Sequence, residues 1–228
     1  MAKIANLIRK ITYLLTLFLP WFLRRPLLNA IFGYKIDPSA KIGLSWFIPK
    51  HLEMGPRSSI GHFNVCKGLD LVLIGSDASV GRLNWITGFP ANDAKHFTHD
   101  VDRKPELILD EHSAVTNRHI LDCTNAIHVG AFSTVAGFRS QFLTHSIDLG
   151  NNWQASKPIT IGSYCFVGTG VIILGGSNLP DKSVLGAGSV LQKNYDSEST
   201  LYAGAPAKPI KEIDTSKGYF VREQGFVL

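Results

Sequence analysis

The chain has 228 residues, 45% of them hydrophobic, with 21 glycines and a net charge of +5. That length fits one sizeable domain plus an appendage, and the composition argues against a disordered or fibrous chain. Cys66, Cys123 and Cys165 are odd in number, widely spaced and without a CxxC pair, so neither a disulfide framework nor a zinc ribbon is expected, and a reducing compartment fits.

The charge is unevenly placed. Residues 1–50 carry Lys3, Arg9, Lys10, Arg24, Arg25, Lys35, Lys41 and Lys50 against Asp37, a net +7, which leaves −2 for the rest of the chain. Basicity confined to one end is not the footprint of a nucleic-acid-binding face. The same end holds the apolar run ITYLLTLFLPWFL (11–23). It is shorter than the ~20 residues a spanning helix needs, and Pro20 and Pro26 interrupt it. No small-x-small cleavage site precedes Arg24, so a signal peptide is not indicated. Residues 1–35 therefore form a separate helical segment. We expect residues 1–32 to lie in a membrane interface, with Tyr13, Phe18, Trp21, Phe22 and Phe32 at headgroup depth and the basic residues on anionic lipid. The competing expectation is a helical pair packed on its own trimer or on the end of the domain.

From residue 36 to about 200 the chain repeats in steps of six. Ile36, Ile42, Ile48, Met54, Ile60 and Cys66 keep the step, as do Ile74, Val80 and Ile86. It returns at Leu109, Val115, Leu121 and Ile127, restarts at Val129 and Val135, and runs cleanly from Ile161 through Val167, Ile173, Leu179, Leu185 and Leu191. A fixed period outranks local propensity. Six does not suit a helix, but it suits a short strand plus a corner, with one aliphatic side chain per side entering a shared core. Three sides make a coil of about 18 residues, stacked by parallel pairing at ~4.8 Å. The fold class expected is all-β: a triangular parallel β-helix of about eight or nine coils, with short N-terminal helices and a C-terminal helical or extended tail. Such flat-faced prisms acquire clefts by packing side by side, which points to a closed cyclic oligomer.

Two segments break the period. GFPANDAKHFTHDVDRKPEL (88–107) is polar and aperiodic and must leave the prism as an excursion loop, for acceptor binding or to reach a neighbouring subunit. His96, His99 and Asp100 within it are read as solvated surface and not as metal ligands. The second break is FLTHSID (142–148). Counting on from Val135, Gln141 falls where an aliphatic residue belongs and His145 where a small corner residue belongs, so the rung is expected to bulge and project its side chains. LGNNWQASK (149–157) is expected to be a further irregular loop.

These segments carry a family resemblance. The hexapeptide repeat, LTHSID, TNRHILDCTNAIHVG (116–130) and YAGAPAKPIK (202–211) together resemble the hexapeptide-repeat acyltransferases, most closely the sugar and polysaccharide O-acetyltransferases. Ala205 replaces the asparagine usual in the last of these runs. The resemblance covers most of residues 36–213. It implies a left-handed β-helix, a homotrimer with sites between subunits, acetyl-coenzyme A (acetyl-CoA) as acyl donor and no metal. It places the catalytic base at His145 and an acceptor-holding residue at Asn117. Asp122 is assigned a structural role, and Asp148 is the candidate to orient His145.

The chemistry suits the assignment. Imidazole is basic near neutral pH and can take a hydroxyl proton, then return it to a leaving thiolate. Gly168, Thr169, Gly186 and Ala187 are small enough for a pantetheine arm to lie along successive corners. Gly204 and Lys208 belong to the coenzyme-binding turn and tail of residues 201–228, where Lys208, with Lys211, would meet the phosphates as point charges. The implied acceptor is a sugar of a polysaccharide or lipid-linked oligosaccharide, handled in the cytoplasm on the inner face of the cytoplasmic membrane. Two other readings stand beside this one. A zinc lyase of the γ-carbonic-anhydrase type would use His112, His119, His128 and His145, and a non-catalytic β-helix scaffold would need neither break.

Overall fold

The computed structural model describes residues 2–93, 95–225 and 227. Two helices, α1 (Ala2–Thr16) and α2 (Trp21–Phe32), precede a prism of short strands. Its first face has seven parallel strands from Lys35–Ile36 to Asn178–Leu179, and its third has seven from Trp46–Ile48 to Val190–Leu191. The second face has nine: seven from Lys41–Ile42 to Val184–Leu185, then Thr200–Gly204 and the antiparallel Ala207–Glu212. The fold is a left-handed parallel β-helix of seven coils. Eight or nine coils were expected; residues 88–105 and 144–158 leave the stack and shorten it.

The six-residue step works because each strand of the second and third faces turns one apolar side chain inward, each first-face strand from His51–Met54 to Ile159–Ile161 turns two, and the corner between strands holds a buried residue. At the corner from first to second face these are Ala40, Ser58, Ala78, Ser113, Ser133, Cys165 and Ser183, all buried. In six of these seven turns the third residue sits in the left-handed region even without glycine, at Arg57, Asp77, His112, Phe132, Tyr164 and Lys182, with φ between 53° and 59°. Each of these amides except that of Arg57, which is held by Ser39 Oγ, donates to a carbonyl of the coil below, and these bonds offset the unfavourable backbone conformation.

Two positions depart from strict counting. In the first coil Phe47, not Ile48, is the core residue of the third face, because its preceding corner is one residue shorter. In the fifth, Phe142 and not Gln141 enters the core, because the corner around Gly137 and Arg139 is one residue longer. Residues Gln141–Leu143 pair in register with Ile120–Asp122 and Ile172–Leu174, so the rung itself does not bulge. Residues beyond it form an antiparallel hairpin, His145–Asp148 with Trp153–Ser156, in place of the irregular loop expected.

The helical pair caps the first coil. Tyr13 is fully buried, its hydroxyl donating to Ser45 O and accepting from Phe47 N–H and Arg24. Trp21 donates to Ala40 O, Arg24 to the carbonyls of Ile42 and Gly43, and Arg9 to that of Pro49. Tyr13, Trp21 and Phe32 thus face protein and not lipid, and both arginines are engaged by backbone carbonyls. Phe18 and Phe22 remain outward, 82% and 74% exposed, among Leu15, Leu19, Leu23, Leu27 and Ile31. The side chain of Lys3 lies outside the described residues.

At the other end the tail returns over the second face. Tyr219 donates to Cys165 O and meets Phe166 edge-on, while Arg222 covers the Tyr219 ring at 3.8 Å.

Candidate active site

The corner from third to first face is where both interruptions leave the prism. Asp122 ends its strand there on the fourth coil, and His145 follows the strand directly above, two residues past Leu143, which pairs with Asp122. Stacking, not chain proximity, brings the two together. His145 Nδ1 lies 2.5 Å from Asp122 Oδ2, and the His145 backbone N–H donates to the same oxygen at 3.2 Å. The other carboxylate oxygen accepts from Thr124 N–H and Thr124 Oγ1 at 3.1 and 2.6 Å.

These bonds bias the two groups in opposite directions. The Asp122 hydrogen bond raises the His145 pKa above its ordinary 6.5, with burial opposing. Burial works against the Asp122 carboxylate, but the bonds from His145 and Thr124 outweigh it and hold its pKa below the usual value. The charged carboxylate accepts a hydrogen bond from Nδ1–H, so the lone pair of the neutral ring is on Nε2, which no hydrogen bond engages among the described residues. The side chain is 36% exposed and lines a cleft of about 340 Å³ with Ser146, Lys157, Gly175 and Gln192.

The other side of the imidazole is walled by the excursion loop of the same chain. Phe89 and Phe97 both stand edge-on to it with centroids 6.1 Å away. Arg103, 4% exposed, holds the loop: its guanidinium donates to the carbonyls of Phe89, Pro90 and Thr124 and covers the Phe97 ring at 4.5 Å. Asp100 accepts from Ser156 N–H and Oγ, and His99 stacks on Trp153 at 4.2 Å, so loop and hairpin are clasped together. His96 Nδ1 meets Asp93 within the loop.

Asp122, not Asp148, is therefore the partner of His145. Asp148 closes the hairpin turn, accepting from Gly150 and Asn151. Counting missed this because it treated Asp122 and His145 as separate motifs. Asn117 lies elsewhere: it accepts from Arg82 N–H at the corner from second to third face, beside Arg118 and Phe138. Within one chain a strand of the third face, about 10 Å long, separates it from His145.

Thr169 stands on the Asn117 column, bonded to both backbone groups of Phe138, and Gly188 N–H donates to Thr169 O. Gly168 has a packing reason as well, since a Cβ there would fall 2.6 Å from Ala187 N. Gly186 faces Ala203, Ala187 is exposed, Gly204 N–H donates to Ser189 Oγ, and Lys208 is exposed on the last strand. None of these touches His145 within one chain. His112, His119, His128 and His145 occupy three different corners and the first face and do not converge. Among the described residues no three His, Cys, Asp or Glu side chains gather as metal ligands would.

This is a hexapeptide-repeat β-helix with a carboxylate-oriented histidine in a cleft at the interruption of its repeat. No family model matches the chain, but curated proteins similar to it over part of its length are named acetyltransferases. It is 38% identical over 74 residues to the galactoside O-acetyltransferase of Escherichia coli, covering 32% of this chain and 36% of that one. It is 30% identical over 119 residues to a serine acetyltransferase of Buchnera aphidicola, covering 50% and 42%. The chain thus spans less than half the length of these curated relatives. The crystal structure of a polysialic acid O-acetyltransferase shares the fold, with a TM-score of 0.61 at 17% identity over 83% of this chain and 90% of that one.

Proposed function

We propose that the chain is an O-acetyltransferase that moves an acetyl group from acetyl-CoA to a hydroxyl of a sugar in a polysaccharide or lipid-linked oligosaccharide. The observation that carries this reading is the Asp122–His145 pair, whose imidazole lines a cleft with Nε2 unbonded among the described residues, on a fold shared with a polysialic acid O-acetyltransferase. The matched Escherichia coli protein is named for acetylating a galactoside, in keeping with a sugar acceptor.

In the reaction, His145 Nε2 takes the proton of the acceptor hydroxyl as its oxygen attacks the thioester carbonyl. The carbon–sulfur bond then breaks, the new ester forms, and His145 returns the proton to the thiolate of coenzyme A. Asp122 holds the tautomer and stabilises the imidazolium between the steps. General catalysis of this kind contributes roughly 10²–10⁴ in rate. Corner N–H groups preorganised toward the developing oxyanion would add electrostatic stabilisation. No acyl-enzyme is invoked, since burial pushes the Cys165 thiol up to about 12.

The coenzyme would lie along the column of Thr169, Gly186 and Ala187, with Lys208 and Gly204 at its far end. That column and His145 flank opposite edges of the third face, so a complete site calls for a second copy, and a homotrimer is the closed arrangement we favour. In it Asn117 of one subunit would hold the acceptor beside His145 of another. The outward Phe18, Phe22 and neighbouring leucines of the cap fit the interface of the cytoplasmic membrane on its inner face. No helix among the described residues is long and apolar enough to cross a membrane.

The test is transfer of label from acetyl-CoA to a panel of mono- and oligosaccharides by the full chain and by His145→Ala. Transfer by the first and its loss in the second, with unchanged oligomeric mass, is expected. Undiminished transfer by His145→Ala would remove the base from the mechanism.

A further inference from the structure

Below His145, on the same side of the prism, lies a second and larger cleft of about 740 Å³. Four cations line it: Arg9 and Lys10 from α1, Lys50 from the corner after the first coil, and Lys67 at the end of the second. Trp46, Ile48 and Leu69 give it an apolar lining, and Pro90 of the excursion loop lines it as well. The acid there, Asp70, is already accepting from Ala91 N–H. Lys10, Lys50 and Lys67 enter no ion pair among the described residues, and Lys67 is steadied over the Trp85 ring at 5.6 Å. Cations gathered beside an apolar lining suit an anion joined to a hydrocarbon.

Position narrows the ligand further. Lys10 is flanked on α1 by Leu7, Ile11 and Leu14, all exposed and continuous with the apolar face of the cap. In the other direction the excursion loop links the two clefts, Pro90 facing this one and Phe89 facing His145. Lys67 belongs to the second coil and Asp122 and His145 to the fourth and fifth, so the imidazole stands about 10–15 Å further along the axis. That distance is the reach of a short saccharide.

We propose that this cleft holds the pyrophosphate of an isoprenyl-pyrophosphate-linked saccharide. The hydrocarbon lies toward the apolar face of α1 and the sugars run past the excursion loop to His145. This deepens the O-acetyltransferase reading and rests on it. A glycerophospholipid headgroup would satisfy the same cations but would present no hydroxyl-bearing chain to the imidazole. A pyrophosphate-linked saccharide does both.

The experiment uses the full chain and the charge-reversed variant Lys50→Glu/Lys67→Glu, both exposed positions. Calorimetric titration with geranyl pyrophosphate, inorganic pyrophosphate and phosphatidylglycerol vesicles separates the sources of the anion. Geranyl pyrophosphate is expected to bind about tenfold or more tighter than inorganic pyrophosphate, and the variant to lose about tenfold or more of that affinity with unchanged thermal unfolding. Equal affinity of both proteins for geranyl pyrophosphate overturns the proposal. So does binding of the vesicles alone, which would make the cleft a headgroup site. Acetyl transfer to free saccharides is measured in parallel. Transfer without geranyl pyrophosphate binding sinks the cleft assignment only, whereas binding without transfer to any acceptor sinks the enzymatic reading and the acceptor assignment with it.

Discussion

Two histidines one coil apart show how the same side chain is put to opposite uses. His119 belongs to the corner from second to third face, where buried polar groups form a ladder from Ser45 through Asn64 and Asn84 to Ser140. Its Nδ1 accepts the Ser140 N–H at 3.1 Å, so its proton is on Nε2 and donates to Thr116 Oγ1 at 2.9 Å. The ring is fully buried without a carboxylate, and burial pushes its pKa down to about 4. His145, at the next corner, has a carboxylate on Nδ1, one face of its ring walled by phenylalanines and an open cleft on the other. One histidine is held neutral and both its nitrogens are used. The other is made more basic and one nitrogen is left free. The partner of the ring, not the residue type, separates mortar from machinery.

The comparison can be broken by mutation, and the largest effect belongs at His145. His145→Ala should lower kcat by roughly 10²–10⁴ while leaving the thermal midpoint nearly unchanged. Loss of folding in that variant would make His145 another mortar residue. Asp122→Asn should reduce kcat/KM by about 10–100-fold, as when an orienting carboxylate is removed. It should also move a pH inflection. The base is active when neutral and its pKa is raised by Asp122, so wild-type activity climbs with pH through a value above 6.5, and the variant should climb at lower pH. An unmoved inflection would deny the coupling.

At His119 the effect should appear in stability alone. His119→Ala strands the Ser140 N–H and should cost about 1–3 kcal/mol in denaturant unfolding, with activity per folded molecule retained. Because the folded pKa lies below the unfolded value, the unfolded chain binds the extra proton first. Wild-type stability should therefore be full above pH 6.5 and decline as pH falls toward 4, and the variant should lack that component. The smallest change is expected from Phe97→Leu, which keeps the loop packed but removes one ring edge from the imidazole. A roughly two- to fivefold loss in kcat/KM measures that contact.

Much of this was legible along the chain. Nearly every position named by the six-residue step is buried, the two interruptions marked the corner where Asp122 and His145 meet, and FLTHSID contained the histidine proposed as base. Where counting failed, it failed by one residue at corners. A corner can lose a residue, as before Phe47, or gain one, as before Phe142, without disturbing the strands on either side. The slip at Phe142 hid the in-register stacking of Leu143 on Asp122, and with it the Asp122–His145 pair. The N-terminal aromatics likewise looked equivalent in sequence, yet the first coil buries Tyr13 and half-buries Trp21 and Phe32 while leaving Phe18 and Phe22 outside.

The sequence alone determined the prism, because the aliphatic side chains of each side and the corner residues between them recur locally and need no distant information. Only the tertiary structure decided which groups meet across coils. Contacts between residues 20 or more apart depend on which corner or excursion absorbs each added or missing residue, and that is set by stacking between coils rather than by counting along the chain. Hence the carboxylate beneath His145, the loop that walls it and the cationic cleft below belong to the folded chain and to no stretch of its sequence.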